Sequence, residues 1–68
     1  MKTFAIYTNT STYGVVVESE CTDPTELLQW VIDQPSVNER SPFFFALTDI
    51  NGKAVLMNAS FISEIREL

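Results

Sequence analysis

The sequence predicts a single small α+β domain over residues 1–68, with five short antiparallel strands and one helix in the order β-β-α-β-β-β. Three observations predict it. Two aromatic and β-branched stretches open the chain, a capped amphipathic segment follows, and Asn51-Gly52 lies between two apolar runs. Both faces of the second hairpin are apolar, and one helix can cover only one face of a sheet. The strands are therefore expected to form a strongly bent sheet or a small barrel, or to hide one face against another chain.

Residues 3–9 are rich in aromatic and β-branched types and read as the first strand. Asn9-Thr10-Ser11-Thr12 is a polar turn. Residues 13–20 contain Val15-Val16-Val17 and end in Glu18-Ser19-Glu20, which reads as a second strand whose far end reaches water. The two strands are expected to form a hairpin.

The helix signal is local and specific. Asp23 can cap, Pro24 suits the first helical position, and Glu26 stands where a capping box places its acidic partner. Leu27, Leu28, Val31 and Ile32 are expected to share the buried face, with Trp30 at its edge and Thr25, Glu26, Gln29 and Asp33 opposite. Pro35 stops the helix, because the residue before a proline avoids helical geometry. Residues 34–42, polar and with two prolines, read as a loop.

Residues 43–49 and 53–58 form the second hairpin. A two-residue Asn51-Gly52 turn would pair Ile50 with Lys53; a type I turn with a G1 bulge would pair Asp49 with Lys53. The bulged turn puts Asp first and Gly fourth, as that turn prefers. It also gathers Phe43, Phe45, Leu47, Val55, Met57 and Ala59 on one apolar face, so it is preferred. The other face then holds Phe44, Ala46, Thr48, Ala54, Leu56 and Asn58.

Composition narrows the function. A 68-residue chain that is 46% hydrophobic and 19% charged is too apolar to stay disordered. A chain this short hides only ~60% of its unfolded surface, so help from disulfides, metals or assembly is expected. One cysteine and no histidine rule out an internal disulfide and the common zinc ligand sets, which leaves assembly. Nine acidic against four basic residues give a net charge of −5. Lys2, Arg40, Lys53 and Arg66 are scattered, which disfavours a phosphate-binding groove, and the acidic excess disfavours anionic membranes. The longest apolar run, residues 43–47, is far short of the ~20 residues of a membrane span. With no secretory pattern at the start and a lone Cys21, a cytoplasmic protein is expected.

Candidate sites all have plainer readings beside them. Cys21 lacks a histidine to activate it and reads as a small buried hydrophobe. Asp23 and Glu26 could pair as carboxylates, but capping already employs them. Glu18, Glu20, Asp23 and Glu26 could gather on a divalent cation, though a solvated face explains them better. Trp30, Tyr7 and Tyr13 could stack on bases. Gly14 and Gly52 are the only glycines, which excludes P-loop and Rossmann phosphate cradles. No catalytic residue, metal or cofactor is expected, and the inventory argues against an enzyme.

The segment Met57-Asn58-Ala59-Ser60-Phe61-Ile62-Ser63-Glu64-Ile65 resembles the end of an Sm-like barrel. That family's second motif runs apolar, Arg, Gly, two variable residues, apolar, two variable residues, apolar, and it turns the fourth strand into the fifth through a short helical turn. Met57, Ile62 and Ile65 occupy its apolar positions, while Asn58 and Ala59 replace the Arg-Gly pair that helps form the family's RNA pocket. The helix also lies between the second and third strands instead of before the first. The resemblance implies a small barrel and ring assembly.

The tail, residues 60–68, admits two readings. Phe61, Ile62, Ile65 and Leu68 fit helical spacing, whereas the resemblance favours a strand over 62–67, reached by a tight turn at 59–61. The strand is preferred. The function expected is a non-enzymatic module that binds itself or another protein, with Phe44, Leu56 and Trp30 as interface residues. The alternative is an Sm-like single-stranded RNA binder.

Overall fold

In the computed structural model, which describes residues 1–10, 13–34 and 43–68, the first aromatic stretch becomes β1 (Lys2–Thr8). Alternation along it sends Phe4 and Ile6 into the core, both almost wholly buried. β1 pairs antiparallel with β2 (Val15–Ser19) on one side, Phe4 opposite Val17 and Ile6 opposite Val15. On its other side it pairs with β5 (Ile62–Glu67), Ile6 opposite Ile65, so the sheet order is β2-β1-β5.

The tail is thus a strand, reached through a 3-10 turn at Ala59–Phe61. Asn58 holds that turn, its Oδ1 accepting from the Ser60 amide at 2.9 Å and the Ser60 hydroxyl at 2.6 Å. The pairing slips by one residue, with Tyr7 opposite Glu64 but Thr8 opposite Ile62. Ser63 is the extra residue of a bulge. The bulge reverses the alternation, so Ile62 and Ile65 both pack on the core although three positions apart.

Helix α1 (Pro24–Ile32) begins as its signals dictate. Asp23 is extended, and its Oδ1 accepts from the Glu26 amide at 2.8 Å. The return half of the capping box differs from expectation: the Glu26 carboxylate takes the Thr22 hydroxyl at 2.7 Å. The buried face also differs. Leu27 and Val31 are buried as expected, but Leu28 and Ile32 are 42% and 62% exposed. The helix is turned toward Trp30, whose ring meets Phe45 edge-on with centroids 6.4 Å apart.

β3 (Phe44–Thr48) and β4 (Ala54–Asn58) form a second, two-stranded sheet. Leu47 faces Val55 and Phe45 faces Met57, the register of the bulged turn. The Asp49 amide donates to the Lys53 carbonyl at 2.9 Å, and Gly52 sits at φ +81. Phe45, Leu47 and Met57 are buried on the inner face. Phe43, expected with them, lies before the strand and is exposed.

One core lies between the two sheets and the helix, built on Phe4, Ile6, Val17, Leu27, Val31, Phe45, Leu47 and Met57. At one end the sheets are joined by the Ile50 amide, which donates to the Val16 carbonyl at 2.8 Å. The expected loop at 34–42 lies, after Gln34, outside the described residues, as do Ser11 and Thr12 of the first turn.

Candidate functional site

The second hairpin shows two unlike faces. Its inner face is core; its outer face carries Phe44, Ala46, Thr48, Ala54, Leu56 and Asn58, with no charged side chain among them. Phe44 is half-buried, and Leu56, which pairs with Ala46, is 57% exposed. The structure therefore brings Phe44 and Leu56 together on one face. Trp30 stands apart from them, because its partner Phe45 points to the opposite side of β3.

A second feature lies where the two sheets fail to join. β2 pairs with β1 alone and β3 with β4 alone among the described residues, so each keeps a free edge. Between them is a groove of about 760 Å³. Its floor is Ile6, Val17, Leu27 and Leu47, and Glu18, Glu20, Glu26 and Trp30 also line it.

Hydrogen-bond parity tells which main-chain groups face this groove. In an antiparallel strand a residue's N–H and C=O point to the same side, and its neighbours' point to the other. The Val16 carbonyl points toward Ile50, so Glu18 on β2 also aims its amide and carbonyl at the free edge. On β3 the Phe43 carbonyl and the Asp49 amide bond toward the β4 side, so Phe44, Ala46 and Thr48 aim theirs away from β4.

The other sequence-flagged residues are more ordinary. Cys21 is a half-buried free thiol in the wall of the groove. Tyr7 lies across Gly14, where an added Cβ would meet the ring at 2.8 Å. Tyr13 is 83% exposed. Glu18, Glu20, Asp23 and Glu26 do not converge: among the described residues no three His, Cys, Asp or Glu side chains gather as metal ligands would. Among the described basic residues, Lys2 engages Glu67 at 3.4 Å and Arg66 engages Glu64 at 2.6 Å. No helix among the described residues is long and apolar enough to cross a membrane.

No known protein family, characterised protein or solved structure matches this chain. Sequence reasoning anticipated the outer face of the hairpin but not the groove. The groove arises from a pairing that β2 and β3 do not make, and no local pattern encodes a missing pair.

Proposed function

We propose that this chain is a non-enzymatic protein-interaction module that self-associates through the outer face of β3 and β4. The observation that carries the reading is that face itself: Leu56 is exposed and Phe44 half-buried among small and neutral residues, with no charged side chain on the face. A second copy suits it better than a foreign surface of opposite charge. The chain carries a net charge of −5, so copies repel over most of their surface, but nothing on this face adds to that repulsion. Two such faces can pack as sheets do, with apolar side chains interdigitated.

A small Sm-like barrel, ring assembly and a cytoplasmic setting belong to the same proposal. The 3-10 turn at Ala59–Phe61 and the strand after it support the Sm-like course. Single-stranded RNA binding has thinner support, because Lys2 and Arg66 are already held by glutamates and Asn58 caps a turn.

Size-exclusion chromatography with light scattering tests self-association. The expected result is an assembly at micromolar concentration, reduced to monomer by Leu56→Glu and by Phe44→Glu with the far-UV circular dichroism unchanged. A wild-type chain that runs as a monomer would overturn the reading.

A further inference from the structure

We propose that the groove between β2 and β3 takes an extended basic and apolar segment of a partner protein, which adds a strand along the free edges. This goes beyond self-association, since it uses neither Phe44 nor Leu56 as a side-chain contact.

Three observations meet in the groove. The first is main chain on both walls that has no partner among the described residues, from Glu18 on β2 and from Ala46 and Thr48 on β3. Strand addition satisfies such groups with main-chain bonds from the incoming segment. The second is the apolar floor of Ile6, Val17, Leu27 and Leu47. An extended peptide sends alternate side chains to opposite faces, so one row of apolar residues can face that floor. The third is the charge of the rim. Glu18, Glu20 and Glu26 line the groove, and no Lys or Arg does among the described residues.

The rim selects the occupant. Exposed strand edges invite pairing with another copy, and charged residues on an edge prevent it. A second copy brings a net charge of −5 to three glutamates, whereas a segment with lysine or arginine in its outward row meets opposite charge. The same carboxylates thus reject self-pairing here and attract a basic strand.

Trp30 supplies the readout. It is the only tryptophan, is 42% exposed, and lines the groove. The probe is a short synthetic peptide of alternating lysine and valine, held below the concentration at which it self-associates. Binding to the full chain is expected to shift Trp30 emission to the blue and to slow hydrogen exchange at the amides of Glu18, Ala46 and Thr48. The Glu18→Gln/Glu20→Gln double variant is expected to bind about tenfold more weakly, the scale of losing two exposed charge pairs. Leu56→Glu is expected to bind the peptide as wild type does, which separates this site from the self-association face. A peptide alternating glutamate and valine, or one with N-methyl groups along one edge, is expected not to bind. The proposal is overturned if the lysine–valine peptide does not bind, or if N-methylation leaves its binding unchanged. It is equally overturned if the protected amides lie elsewhere, or if Glu18, Ala46 and Thr48 become protected with rising protein concentration alone, which would make a second copy the occupant.

Discussion

Gly52 sits at φ +81, a conformation that L side chains adopt at a cost. An added Cβ would meet nothing within 4 Å there, so the penalty for Gly52→Ala is one of backbone conformation and not of crowding. A loss of about 1 kcal/mol is expected, read as a lower urea midpoint with an unchanged slope. Asp49 works on the same turn, its Oδ1 accepting from the Asn51 and Lys53 amides, each at 2.9 Å. Asp49→Ala strands both donors at an exposed site and is expected to cost about 1 kcal/mol in the same assay. These turn residues announce themselves in sequence because their chemistry is local. Asn58 does not: its role as the cap of the 3-10 turn depends on where Ser60 lies after the chain bends.

Among elements, α1 shows how far periodicity reaches. The apolar positions 27, 28, 31 and 32 centre on one direction, but the observed buried face is turned by about 50° toward Trp30, half of the 100° step between residues. The cause is tertiary. Trp30 finds an edge-on partner in Phe45, while Leu28 and Ile32 meet no such partner among the described residues and stay exposed. Leu27→Ala is therefore expected to cost about 2–5 kcal/mol, and Leu28→Ala less than about 1 kcal/mol, by chemical denaturation. Equal losses would contradict this orientation.

β5 misleads periodicity in another way. Ile62 and Ile65 carry a spacing that fits a helix, yet they share one face of a strand because the bulge at Ser63 shifts the alternation. The second hairpin holds no such conflict. Its bulged turn and its two faces agree with the alternation of Phe45, Leu47, Val55 and Met57, so its register was legible.

For the molecule as a whole, the described residues set two sheets and one helix around a core and leave the outer face of β3 and β4 and the groove beside β2 open. If assembly covers the hairpin face, thermal stability depends on concentration. The midpoint by differential scanning fluorimetry is expected to rise as wild-type protein is concentrated, and to stay constant for Leu56→Glu.

Strand number, the helix start, the bulged turn and the double-sided hairpin all followed from residue types and spacings, because each depends on hydrogen bonds and side-chain alternation within a short span. The phase of the helix, the bulge in β5 and the gap between β2 and β3 came from packing. They depend on which distant surfaces meet, such as Trp30 on Phe45 and Ile65 beside Ile6, and no local spacing specifies such meetings.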